Sequence, residues 1–161
     1  MTALAERIAA LIAAQGPISV AQYMTLALHD PDAGYYATQD PIGGKGDFIT
    51  APEISQMFGE ILGAWCAQVW IDQGKPKHTY LVELGPGRGT LLADALRVLK
   101  RMPEFLDRVE LVLVEASPVL REQQRAKLKN TSARMRWTSH FDVRDAPLLV
   151  IANEFFDALP I

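Results

Sequence analysis

The stretch Tyr80-Leu-Val-Glu-Leu-Gly-Pro-Gly-Arg-Gly-Thr90 decides how this chain is read. Leu81, Val82 and Leu84 have strand character, and Gly85, Gly87 and Gly89 follow at alternate positions. Leu91, Leu92, Ala95, Leu96, Val98 and Leu99 then recur at helical spacing. A strand that runs through a glycine turn into a helix is how α/β proteins bring backbone close to a ligand at the carboxyl edge of a parallel sheet. Glycine suits the turn because a Cβ would block that approach, and because positive φ costs glycine little.

The next apolar run, Val109-Glu-Leu-Val-Leu-Val114, reads as a second buried strand ending in Glu115. An acid at that place in a nucleotide-binding βαβ unit accepts hydrogen bonds from ribose hydroxyls. The other reading of Glu115 is a carboxylate at a helix start, since Ser117-Pro118 opens the next helical pattern. A dinucleotide loop needs G-x-G-x-x-G, which would put the third glycine where Thr90 stands, and Pro86 removes one N–H that a pyrophosphate would use. Glu83, just ahead of the first glycine, is awkward beside a pyrophosphate and useful beside an ammonium or sulfonium. S-adenosylmethionine carries both cations and a ribose for Glu115. Charge and spacing favour it over a nicotinamide dinucleotide, so an oxidoreductase is the weaker reading.

The segment Glu83-Leu-Gly-Pro-Gly-Arg-Gly89, followed by Glu115, resembles motif I and the acidic loop of class I S-adenosylmethionine-dependent methyltransferases. Three segments together resemble one family within that class: Gly46-Asp-Phe-Ile-Thr-Ala-Pro-Glu-Ile-Ser-Gln-Met-Phe-Gly-Glu60, the glycine loop, and Asn153-Glu-Phe-Phe-Asp-Ala-Leu-Pro160. It is the family of MidA-type mitochondrial complex I assembly factors and their bacterial relatives, and the likeness runs from about Val20 to the last residue. The resemblance implies a Rossmann-like α/β fold, protein arginine methylation with S-adenosylmethionine as donor, and a complex I subunit as substrate of the eukaryotic members. It also implies that the loop Gly46–Thr50 lies across the nucleoside pocket as a lid.

Length and composition agree with one well-packed unit: 161 residues, 49% hydrophobic, with no low-complexity tract. A net charge of −3 gives no broad footprint for nucleic acid. The local basic run Arg121, Arg125, Lys127, Lys129, Arg134 and Arg136 reads as a solvated helix face with cations near a C-terminus, the alternative being a binding patch. Cys66 lies in an apolar helical stripe and reads as a buried small hydrophobe, so no disulfide or oxidising compartment is implied. His29, His78 and His140 lack metal-ligand spacing, and no metal site is expected. No segment has the length of a membrane span, and the N-terminus lacks the pattern of a secretory signal and the arginines of a transit peptide. A cytoplasmic location is expected, or the mitochondrial matrix if the protein is eukaryotic.

The chain divides into an N-terminal helical region over residues 1–78 and a Rossmann-like part over 79–161. Leu4, Ile8, Leu11 and Ile12 form a helical stripe closed by Gly16-Pro17, and Ser19-Val-Ala-Gln22 is a capping box for a second helix. Asp30 to Gly46 reads as a loop or ragged hairpin. Thr50-Ala-Pro-Glu53 reads as a capping box for one long helix whose Ile54, Met57, Phe58, Ile61, Leu62, Trp65 and Val69 form a core stripe. Pro118–Leu128 reads as a helix, Arg134–Thr138 as a third strand and Leu148–Ala152 as a fourth.

Alternation of strand and helix predicts a parallel sheet, with ligands outside the carboxyl ends of its strands. Glu83, Gly85, Glu115, Asp142 and Asn153 all fall at or after such ends. The cofactor candidates are Glu83, Gly85, Gly87, Gly89, Glu115 and Asp142, the last toward the adenine amino group or simply in a solvated loop. Arg88 is read either against the donor's carboxylate or in solvent. The catalytic candidates are Asn153, Glu154 and Asp157. A guanidinium's lone pair is delocalised, so an acceptor arginine needs carboxylates to orient it and draw charge from the attacking nitrogen. Glu154 and Asp157 would share a face if helical, with Phe155 or Phe156 walling the pocket; the alternative is cap and turn residues beside two core phenylalanines. The class I sheet has seven strands, and here the pattern stops after a fourth at Pro160-Ile161, so a piece of a longer protein is expected. Cofactor binding is the safer expectation for these residues alone, and a non-catalytic nucleoside-binding assembly module is the alternative function.

Overall fold

The structure is a computed structural model that describes residues 2–38, 49–143 and 145–161. Helix α1 spans Ala3–Gln15, and the Thr2 side chain accepts the Ala5 N–H at 3.3 Å. It ends at Gly16, where φ is 85° and a glycine closes the helix without steric cost. Helix α2, Val20–His29, begins with the complete capping box: the Gln22 N–H donates to Ser19 Oγ at 3.1 Å and the Ser19 N–H to Gln22 Oε1 at 2.9 Å. Arg7 donates to Asp30 at 2.8 Å, tying α1 to the end of α2, and that hydrogen bond holds the Asp30 carboxyl below its usual range. Tyr35–Thr38 is a single helical turn, α3, inside the segment read as a loop or hairpin; residues 39–46 of that segment lie outside the described residues.

The long helix read from Thr50 is two helices. Ala51–Ile54 forms α4, Ser55 is extended (φ −146°, ψ 121°), and Gln56–Asp72 forms α5. Thr50 makes no side-chain cap. Glu53, which would complete the box, instead accepts the Thr90 hydroxyl at 2.5 Å. The face of α5 also differs from the one the pattern picked. Gly59, Gly63, Cys66, Ala67 and Trp70 are buried, while Met57 and Trp65 are 65% and 57% exposed and Ile54 and Ile61 are exposed as well. Phe58, Leu62 and Val69 are intermediate and pack at the edge of the core.

Four parallel strands, β1 (Thr79–Leu84), β2 (Val109–Val114), β3 (Met135–Thr138) and β4 (Leu148–Ile151), lie in the order β3-β2-β1-β4. Registers Leu84↔Val114, Val114↔Thr138 and Glu83↔Ile151 bring all four carboxyl ends to one edge. Order reverses beside β1, which places a crevice between the ends of β1 and β4. Helices α6 (Thr90–Leu99), α7 (Pro103–Arg108) and α8 (Pro118–Leu128) complete the connections.

Leu81, Leu111, Leu113, Leu149 and Ile151 point from the sheet into one core with the buried faces of α5, α6, α7 and the Leu128 end of α8. Trp70 and Phe105 meet there edge to face, 5.4 Å apart, and the Trp70 indole N–H donates to the Pro76 carbonyl at 3.0 Å. The α5–α6 contact is close because α5 presents glycines. A Cβ on Gly63 would stand 2.8 Å from the Ala95 Cα and carbonyl oxygen, and one on Gly59 2.7 Å from the Asp94 Cβ. The other sheet face carries a small cluster of Val82, Val112 and Val143.

Candidate functional site

The glycine turn leaves β1 with φ of 60° at Gly85, 53° at Gly87 and 74° at Gly89. Three left-handed residues in five favour glycine at each place, and the sequence supplies it. The Gly85 N–H donates to the Val114 carbonyl at 3.0 Å, so the turn is fastened to the end of β2. The Gly89 N–H closes on the Pro86 carbonyl at 2.7 Å, and the Gly89 carbonyl accepts the first helical bond from Ala93 at 3.1 Å.

Glu83, two residues ahead of Gly85 on β1, is 5% exposed. Its Oε2 is buried and has no hydrogen-bond partner among the described residues. Burial pushes the carboxyl up to about 8. A buried, unpartnered carboxylate oxygen is costly in the free protein, and a cation delivered to it recovers that cost. Glycines that bring backbone to the surface, an acid in need of positive charge, and a proline in place of one N–H together fit a cationic nucleoside better than a diphosphate.

Glu115 follows β2 and is also buried. Its N–H is held by the Thr138 carbonyl at 2.9 Å. Its Oε1 accepts the Ser117 N–H at 2.8 Å, as the helix-start reading predicts, and its Oε2 accepts from Gln124 Nε2 at 3.3 Å. Burial raises its carboxyl, and the Ser117 and Gln124 bonds oppose the rise. A carboxylate has about four acceptor positions, so the Ser117, Gln124 and Ala116 donors still leave room for a ribose hydroxyl; the two readings of Glu115 are compatible.

After β4 the chain brings Asn153, Glu154 and Phe155 to the same edge. Glu154 takes φ of 48°, a left-handed conformation unusual for this residue, and its side chain is exposed. Phe155 then lies over the turn: a Cβ on Gly85 would be 2.5 Å from the Phe155 Cδ2. Phe156 is exposed and meets Phe155 edge to face at 5.6 Å. Phe156–Ala158 is a 3₁₀ turn that does not include Glu154, so Glu154 and Asp157 do not share one helical face. His29 Nε2 lies 3.1 Å from the Ala158 carbonyl, which moors this loop to α2. Tyr36 stacks on His29 at 5.8 Å, and burial, with the nearby charge of Asp157, raises its hydroxyl.

Asp142 follows β3. It is exposed and accepts from Arg136 at 3.1 Å on the protein surface. Arg88 is half-buried on the turn itself. Of the segment read as a lid, Gly46, Asp47 and Phe48 lie outside the described residues, and Ile49 is exposed. Members of the basic run are engaged locally. Arg121 donates to the Glu115 carbonyl at 2.7 Å, Arg125 pairs with Glu122 at 2.6 Å, and Lys127 donates to the Thr90 hydroxyl at 2.6 Å. Among the described residues no cluster of histidine, cysteine or acid could hold a metal, and no helix is long and apolar enough to cross a membrane. A groove of about 530 Å³ between α1 and α2, lined mainly by Leu4, Ile8, Leu11 and Leu26, belongs to neither motif.

Two features of the site escaped the sequence reading. One is the relay Lys127–Thr90–Glu53, which joins α8, the start of α6 and α4. The other is Gln124, fully buried against the turn. A signal for it existed: Gln124 lies four positions from both Leu120 and Leu128, on the apolar stripe of α8.

Comparison with known proteins matches residues 61–161 to a family model described as "Putative S-adenosyl-L-methionine-dependent methyltransferase". The chain is similar to the mitochondrial protein arginine methyltransferase NDUFAF7 of Xenopus laevis, 43% identical over 93% of this chain and 40% of the relative. The human protein of that name is 40% identical over 93% of this chain and 39% of its own length. A crystal structure from Burkholderia thailandensis, a superfamily member bound to S-adenosyl-homocysteine, superposes with a TM-score of 0.80 at 33% identity over 98% of this chain and 42% of that one. The chain thus spans about two fifths of the length of these relatives. The resemblance drawn from the three motifs and the α/β Rossmann-like fold both agree with these findings.

Proposed function

The chain belongs to the S-adenosyl-L-methionine-dependent methyltransferase family, and on that premise we propose that the full-length protein methylates arginine side chains of a protein substrate. Bound S-adenosylmethionine supplies the electrophilic methyl group. Glu83 would meet the donor's ammonium, Gly85, Gly87 and Gly89 would admit its backbone-facing edge, and Glu115 would take the ribose hydroxyls. The single observation that carries this reading is the buried, unpartnered Glu83 oxygen beside three left-handed glycines.

Two things support arginine as the acceptor: the names of the relatives, and the loop after β4, which offers Glu154 and Asp157 in exposed positions next to Phe155. Glu154 pairs with the guanidinium, biases its charge away from the attacking nitrogen, and accepts the proton that nitrogen loses. Asn153 orients the same group, and Asp157 holds its far side. The substrate we favour is a subunit of respiratory complex I, in the matrix for a mitochondrial protein and in the cytoplasm for a bacterial one. Nucleic acid is a poor alternative acceptor, given the net charge of −3 and the internal pairing of the basic run.

A second reading, a nucleoside-binding module without turnover, draws on one observation: Glu154 and Asp157 lie on a left-handed residue and a 3₁₀ turn rather than on one helix face. Labelled methyl transfer into complex I subunits by the full-length protein, followed by mass spectrometry of the modified residue, separates the two. Methyl-arginine that falls by about 100-fold or more with Glu154→Gln supports the first reading. Donor binding without label in any protein supports the second.

A further inference from the structure

Gln124 is 0% exposed and hydrogen-bonds through both ends of its amide. Nε2 donates to the Gly87 carbonyl at 2.6 Å and to Glu115 Oε2 at 3.3 Å, while Oε1 accepts the Trp137 indole N–H at 2.9 Å. The orientation of the amide follows from its partners, because an indole N–H only donates and a backbone carbonyl only accepts. Gln124 also fills the space beside the turn: a Cβ on Gly89 would stand 3.3 Å from its Cγ. One side chain therefore spans α8, the middle of the glycine turn, the acid after β2 and the tryptophan of β3.

We infer that Gln124 is the positioning residue of the donor site, fixing the Gly87 peptide and the Glu115 carboxylate relative to one another so that turn and acid meet the nucleoside as one unit. The inference rests on the reading that Glu115 takes the ribose. Ser117 N–H holds one oxygen of Glu115 and Gln124 the other, so the orientation of the carboxylate is set from both oxygens. Without the amide, one buried carboxylate oxygen and one turn carbonyl lose a donor, and Glu115 is held from the Ser117 side alone. A residue that only packed would affect every ligand of the site alike. A residue that aims Glu115 affects most the ligands that use Glu115.

Calorimetry on the full-length protein with S-adenosylhomocysteine and its 2′-deoxy analogue makes that distinction. Wild type should bind the deoxy analogue more weakly. Gln124→Leu should weaken S-adenosylhomocysteine by about tenfold or more and the analogue by no more than about threefold. Trp137→Phe, which removes the donor to Oε1 and keeps an aromatic ring against the core and Arg125, should give a smaller loss with the same ribose selectivity, and it decides the matter if Gln124→Leu does not fold. Gln124→Glu should bind increasingly poorly relative to wild type from about pH 5.5 to about pH 8, because the new carboxyl can donate to Gly87 only while protonated. Equal weakening of both ligands in Gln124→Leu and Trp137→Phe, or none, would overturn the assignment. A wild type that binds both ligands equally would instead defeat the ribose role of Glu115, and this inference with it.

Discussion

Glu83 sets a cost against a use within a single side chain. Its carboxyl stands at about 8 against an ordinary 4.5, and burial is the cause. The folded, ligand-free protein therefore holds a proton there that the unfolded chain releases above about pH 4.5. Stability from this group is complete below that pH and is lost as pH rises through the folded value near 8, a change on the order of 5 kcal/mol. Glu83→Gln keeps the shape and cannot ionise. Urea melts of wild type and Glu83→Gln should nearly coincide near about pH 4.5 and diverge toward about pH 8, with the variant the more stable. A constant difference across that range would mean that Glu83 ionises freely in the fold. The meeting of the glycine turn with Glu115 at one sheet edge was legible, because strand, turn and acid are contiguous or separated by one crossover. The ion pair of Asp142 with Arg136 was not legible, because it depends on how β3 packs, nor were the contacts of Gln124, whose three partners come from three separate segments.

Elements were read correctly where one face is apolar and the other polar. Helix α8 matches its expected bounds, the Ser19 capping box forms as drawn, and β2, apolar on both faces, matches as the short buried strand it was read to be. Helix α5 defeats that logic because both of its faces are apolar. Its large residues, Met57, Ile61 and Trp65, turn outward, and its small ones turn inward so that the axis of α5 can approach α6. A pattern weighted by side-chain size chooses the wrong face. The packing makes a prediction with a sign. Gly63→Ala gains up to about 1 kcal/mol of helix propensity but forces a methyl within 2.8 Å of the Ala95 backbone, which costs about 1–3 kcal/mol. Net destabilisation in a denaturant melt is expected; a stabilised variant would contradict the close contact. Likewise Trp65→Gln should change the stability of this chain by less than about 0.5 kcal/mol, and Trp70→Ala should cost about 3–5 kcal/mol. Beside the break at Ser55, Glu53 accepts from Thr90 across to α6, and Thr50 makes no side-chain cap.

At the scale of the molecule, the helices gather on one face of the sheet and leave the other thinly covered. Leu148 and Val150 of β4 are 39% and 46% exposed, on a strand with only one neighbour among the described strands. Such an edge pairs readily with another chain. Self-association of this chain that rises with concentration, measured by sedimentation, should weaken in Val150→Lys while the thermal midpoint changes little. An unchanged association would place the contact elsewhere, the exposed face of α5 being the alternative. The same architecture brings the ends of β1, β2 and β4 to one edge, so that Glu83, the glycine turn, Glu115 and the loop carrying Glu154 and Phe155 come together from far apart in the sequence.

Titration of the full-length protein with S-adenosylhomocysteine near about pH 7, run in buffers of different ionisation enthalpy, probes that edge most directly. If the ligand's ammonium seats against Glu83, its carboxyl must ionise on binding. Up to about one proton per site is then released, and Glu83→Gln abolishes the release while weakening binding by about tenfold or more. Tight binding with no proton release, equal in wild type and Glu83→Gln, would contradict it.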